Sequence, residues 1–167
     1  MLNIDNLNND DRYDKLSIEL ESLVANIDKR VYAIFEVNAE KTLMEINAYE
    51  ASMLSFVYKG LHLNSHIQTI HQIFFKYLAQ NSMTIEEVVI ESKVGDVIYC
   101  TAKILDSKHD RTFTVLSLVD GLILSLISKA PIFIIKNVWE KMEEFDEDWD
   151  YEDYIVDFEN EDDDDED

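Results

Sequence analysis

Apolar and polar positions change period several times along the chain, and each change marks an element. Leu16, Leu20, Leu23, Val24 and Ile27 recur at three- and four-residue intervals with acids between them, which predicts an amphipathic helix over 12–27. Its apolar stripe would pack on the main body or serve a homodimer. Two short runs rich in β-branched and aromatic residues follow, RVYAIFEV at 30–37 and KTLMEI at 41–46, and the NAE between them suits a hairpin. Asn47 with Glu50 three residues on has the form of a capping box, and Gly60 supplies a left-handed stop, so 48–59 is expected to be helical. Ser65 and Gln68 repeat the signature and predict a helix over 66–80, with Ile67, Ile70, His71, Phe74 and Leu78 on one face.

From Thr84 the period becomes that of strands. TIEEVVIES, VIYCTAKIL and RTFTVLSL are three strand candidates joined by KVGD and DSKHD, the composition of an antiparallel meander. Ser117 and Asp120 form a third cap signature before GLILSLIS, Pro131 bars further helix, IFII at 132–135 reads as a strand, and a short helix is expected near 137–145. Runs of strands interrupted by helices indicate an α+β fold with a mainly antiparallel sheet and three to five helices. The expected organisation is an amino-terminal helical extension over 1–28, one domain over 29–139 and an acidic, disordered tail over 140–167, within a length that suits one domain.

Charge sharpens this division. Residues 1–28 carry 7 acids and 2 bases, residues 29–139 carry 11 of each, and residues 140–167 carry 18 acids and 1 base, so most of the formal net charge of -22 is at the carboxyl end. A neutral body argues against broad capture of phosphates and leaves only a local patch for nucleic acid, with Lys93, Lys103, Lys108 and Arg111 as candidates. The tail, with Phe145, Trp149, Tyr151, Tyr154 and Phe158 among its acids, either aids solubility or docks on a basic surface, of a partner protein or of the chain itself. No stretch is long and apolar enough to span a membrane, and no secretory signal is evident, so a cytoplasmic protein is expected.

Cofactor chemistry is narrowed by what is scarce. Three glycines leave no room for Walker or dinucleotide-binding loops, so no nucleotide or organic cofactor is expected. The single cysteine, Cys100, builds neither a disulfide framework nor a cysteine zinc site, and its place in VIYCTAKIL makes it a small core hydrophobe. His62 and His66 straddle the expected helix start and make no helical metal pair, while His109 falls in a turn.

The run VDGLILSLISKAPIFI from Val119 to Ile134, the Glu50-Ala51 helix start in MEINAYEA, and His71 in Ile70-His71-Gln72 together carry a resemblance. Over about Val31 to Trp139 the chain resembles the bifunctional nuclease domain family, whose members degrade both RNA and DNA. Where that family has Arg-Pro-Ser-Asp, this chain has Ser117, Leu118, Val119 and Asp120, so the arginine suited to grip a phosphate is missing there. The resemblance implies a nuclease hydrolysing phosphodiester bonds, with Glu50, His71 and Asp120 as catalytic residues. It further implies Glu50 and Asp120 as ligands of Mg²⁺ or Mn²⁺, with His71 as base or additional ligand. Each residue also has a plain structural reading: Glu50 and Asp120 as capping acids, and His71 as a core histidine. The alternative function is a non-catalytic interaction module that kept the fold.

Overall fold

The computed structural model describes residues 14–60, 68–95, 97–146 and 150–153. In chain order the described elements are β1 (Lys15–Ser17), β2 (Glu19–Asn26), β3 (Val31–Val37), β4 (Glu40–Ile46), α1 (Ala48–Tyr58), α2 (Ile70–Gln80), β5 (Thr84–Val94), β6 (Val97–Leu105), β7 (Arg111–Ser117), α3 (Leu118–Ser128), β8 (Ile132–Ile135), α4 (Lys136–Trp139), β9 (Glu143–Glu144) and β10 (Tyr151–Asp153). They form two five-stranded sheets, ordered β1-β8-β5-β6-β7 and β10-β2-β3-β4-β9. Pairing is antiparallel throughout except between β5 and β8, which run parallel because α3 carries the chain back across the sheet. The chain is thus mixed α and β, with mainly antiparallel sheets and four helices among the described residues. No helix among them is long and apolar enough to cross a membrane.

The amino-terminal segment departs from expectation: 15–26 is two strands, not a helix. The physical cause is a bulge in β2. Leu20 pairs with Phe35 and Ser22 with Ile34, so Glu21 is an extra residue. A bulge breaks the two-residue alternation, and Leu20 and Leu23 both reach the main core at a spacing of three, which imitates a helical stripe. The extension is therefore part of the sheets: β1 pairs with β8, and β2 with β3.

The carboxyl-terminal segment also differs from a tail beginning at Glu140. The short helix expected over 137–145 stops at Trp139, because β9 pairs with β4, the Thr42 hydroxyl donates to the Glu143 carbonyl, and the Phe145 amide donates to the Lys41 carbonyl. Phe145 covers the outer face of the second sheet over Val24, Tyr32, Ile34 and Leu43, and β10 then pairs with β2 at the opposite edge. Residues 154–167, including the final acidic run, lie outside the described residues.

One continuous core joins the sheets through the helices. α3 lies across β5, β6 and β7, α1 packs on both α3 and β3, and α2 packs on α3. α3 approaches its sheet closely at Gly121, where a Cβ would stand 2.8 Å from Cys100 Cβ. The three-strand meander and the β3–β4 hairpin form as the sequence predicts. α1 carries its capping box on Asn47 and Glu50, and Gly60 follows its C-cap at φ 71°. α2 begins later than expected: Thr69 and Gln72 repeat the same signature four residues on, and they are the pair that forms the capping box.

Candidate functional site

The site is assembled where α2 meets the start of α3. Ser117 is the N-cap of α3, and its hydroxyl accepts from the Asp120 amide at 3.2 Å. The same hydroxyl donates to Asp120 Oδ2 at 2.8 Å. Asp120 therefore does not return its carboxylate to the cap backbone as a capping box would; its other oxygen, Oδ1, lies 2.8 Å from His71 Nε2. A carboxylate only accepts, so this contact assigns a ring proton to Nε2. His71 Nδ1 is buried with no hydrogen-bond partner, so a proton there would be stranded, and the neutral Nε2–H tautomer suits the arrangement.

Exposure separates the two residues. The His71 side chain is 12% exposed and that of Asp120 is 49% exposed. His71 is thus a partly buried donor that fixes a more accessible carboxylate, and Asp120 is the member of the pair that a ligand would meet more readily. The ring cannot use Nδ1 as a base toward solvent in this position.

Glu50 has a different setting. Its carboxylate accepts from the Asn47 amide at 3.2 Å while Asn47 Oδ1 accepts from the Glu50 amide at 2.9 Å, which completes the capping box. It lines a cleft of about 220 Å³ with Ser117, Leu118, Val119 and Ile98. That cleft adjoins a larger one of about 640 Å³, in which Glu50, Arg30, Lys93, Asn47 and Glu143 appear together. The structure therefore joins His71 to Asp120 directly, and joins Glu50 to the Ser117 side of the α3 start without a contact to either.

Among the described residues no group of three or more His, Cys, Asp or Glu side chains is placed to hold a metal ion. Both Asp120 oxygens are engaged by His71 and Ser117, and Glu50 serves Asn47. Glu50 and Asp120 stand in different settings, and among the described residues no third such side chain gathers with them as a ligand set.

Of the four basic candidates, Lys103 is withdrawn from the surface. Lys103 is 6% exposed, and its Nζ lies 2.9 Å from Glu86 Oε2 and 3.7 Å from Glu87 Oε1. A bulge at Glu86 turns both acids toward it, and Lys15 donates to Glu87 at 2.8 Å. Cys100 is fully buried, and burial pushes its thiol up to about 12, with the charges of Glu91 and Asp120 adding to the rise. It is inert core, as its strand position predicts. His62, Ser65 and His66 lie outside the described residues.

Two contributors were not singled out by sequence. The sequence pattern marks Ser117 only as a cap, although a serine three residues before an aspartate can also donate to that carboxylate. Arg30 stands at the head of β3 in the larger cleft, and nothing in its local pattern distinguishes it from a solvated arginine. No protein-family model matches the chain, and no curated protein matches it.

Proposed function

We propose that this protein is a cytoplasmic phosphodiesterase of the bifunctional nuclease kind, acting on RNA or DNA. The observation that carries the reading is the 2.8 Å contact between His71 Nε2 and Asp120 Oδ1. These residues lie 49 positions apart, both are implied by the resemblance, and that resemblance says nothing of their pairing. In this reading Asp120 accepts a proton from a water molecule as its oxygen bonds to phosphorus, and the departing ester oxygen takes a proton from solvent. His71 is a positioning residue: its Nε2–H fixes the carboxylate, and the Ser117 hydroxyl fixes the second oxygen. Because water is the nucleophile, the chemistry does not require a ribose 2′-hydroxyl, and both RNA and DNA are substrates.

A second reading is favoured by the engagement of Glu50 in its capping box. In it the chain is a non-catalytic module whose acidic carboxyl-terminal segment recruits a basic protein.

Cleavage of labelled single-stranded RNA and DNA, assayed with Mg²⁺, with Mn²⁺ and with EDTA, decides between them. Asp120→Asn should lower cleavage by about 10²-fold or more. His71→Leu should lower kcat with little change in KM, and His71→Gln, which keeps an N–H donor, should recover part of the loss. Cleavage by wild-type protein no greater than that of Asp120→Asn in every arm refutes the enzyme reading.

A further inference from the structure

Three of the four sheet edges end in very short strands: β1 and β10 have three residues each and β9 has two. The fourth edge is β7, seven residues long, and no strand pairs with its outer side among the described residues. Its pairing with β6 runs from Leu105↔Arg111 to Tyr99↔Ser117 without a bulge. The strand is rich in threonine, phenylalanine and valine, and it contains no proline and no acidic residue. Val115 is 60% exposed. A long, regular, apolar edge of this kind is a template for another strand, and proteins normally blunt such edges.

We propose that β7 is a homodimer interface, pairing antiparallel with β7 of a second copy about a twofold axis at Thr114. The strand is self-complementary in that register, the one that overlaps all seven residues. Thr114 meets its own symmetry mate, Phe113 meets Val115 twice, and Thr112 meets Leu116. Aromatic with β-branched and threonine with threonine are favourable cross-strand pairs. Arg111, the only charged residue of the strand, falls opposite Ser117 rather than another arginine. That places a cation of one copy beside the Ser117 hydroxyl that holds the half-exposed Asp120 of the other. Local charge thus favours this register over one that sets Arg111 beside itself, while the formal net charge of -22 opposes the approach of the two chains as wholes, so association should tighten as salt is raised. The interface was not legible in the amino-terminal stripe, which is sheet. It stands independently of the phosphodiesterase reading.

The full-length chain should sediment as a dimer that dissociates on dilution through the micromolar range. Val115→Lys sets the new lysines beside each other and beside Arg111 across the axis, and should weaken association at least tenfold with an unchanged circular dichroism spectrum. Val115→Thr should leave association intact. Arg111→Glu, which brings a carboxylate toward Asp120, should also weaken it. Register is read separately: under mild oxidation Thr114→Cys, at the axis, should cross-link faster than Thr112→Cys, since Cys100 is buried and stays out of the reaction. A monomer at all concentrations, a dimer indifferent to both Val115→Lys and Arg111→Glu, or equal cross-linking at 112 and 114 overturns the proposal.

Discussion

Replacing Gly121 with alanine measures how tightly α3 is seated on its sheet. In an exposed helix interior the change stabilises by about 1 kcal/mol, because glycine loses more backbone freedom on folding. At position 121 the added Cβ would stand 2.8 Å from Cys100 Cβ, 3.0 Å from Cys100 Sγ and 3.2 Å from Val88 Cγ1. Ordinary carbon contacts fall at roughly 3.5–4.0 Å, so the helix would have to rise by about 1 Å. The nearest atom is anchored to β6, which lies between β5 and β7 and has no room to retreat. Overpacking of this kind costs about 1–3 kcal/mol and outweighs the gain in propensity. The expected net loss is about 1 kcal/mol, and at most about 2 kcal/mol, or a few degrees in melting temperature for a chain of this size. Urea denaturation should show a lower midpoint at unchanged slope. In a Cys100→Gly background, where two of the three close contacts vanish, the same alanine should cost about 1–2 kcal/mol less. A Gly121→Ala protein as stable as wild type, or more so, would refute the close seat.

Two other perturbations follow from the backbone and from Cys100. Asn38 and Ala39 both have positive φ in the two-residue turn between β3 and β4, at 51° and 70°. An alanine there is strained, so Ala39→Gly should raise stability by about 1 kcal/mol in chemical denaturation; a loss would show that the turn is not of this type. The Cys100 thiol is raised from 9.0 to about 12. As pH rises past 9 the unfolded chain sheds this proton before the native state does, so native stability should fall by about 1 kcal/mol per pH unit between the two values relative to Cys100→Ala. Below pH 9 the difference between the two proteins should be constant, and a difference that stays constant above 9 as well would contradict the burial.

The elements that were legible in sequence are those whose signals are local. Asn47 with Glu50, Ser117 with Asp120, and Pro131 before β8 each act within a turn or two of their own position, and all lie where the pattern puts them. The pattern of β2 imitates a helix because its bulge at Glu21 is set by pairing with β3 and leaves only a spacing of three and four behind in the sequence. The carboxyl-terminal strands were hidden by composition: eighteen acids suggest a solvated chain, yet Phe145 finds an apolar patch contributed by three separate strands. The site divided in the same way. Asp120 is visible through its cap, whereas its contact with His71 depends on how α2 lies against α3, which no spacing encodes.

The pairing of β1 with β8 has a temporal consequence. Leu16 is matched to Ile134, and β8 also supplies the parallel neighbour of β5. During synthesis at 5–20 residues per second, roughly 6–24 s separate the making of these two positions. The hairpins β3–β4 and β5–β6 can form early, since their contacts are close in sequence, but the first sheet has no inner partner for β1 until Ile135 has emerged. Leu16 and Ile18, which end in the core, wait unpaired throughout that interval. Non-local closure of this kind slows folding and lengthens the exposure of apolar strands to association. The nascent chain is therefore most vulnerable after its hairpins exist and before β8 arrives, and refolding of the finished chain should be faster than its first folding in the cell.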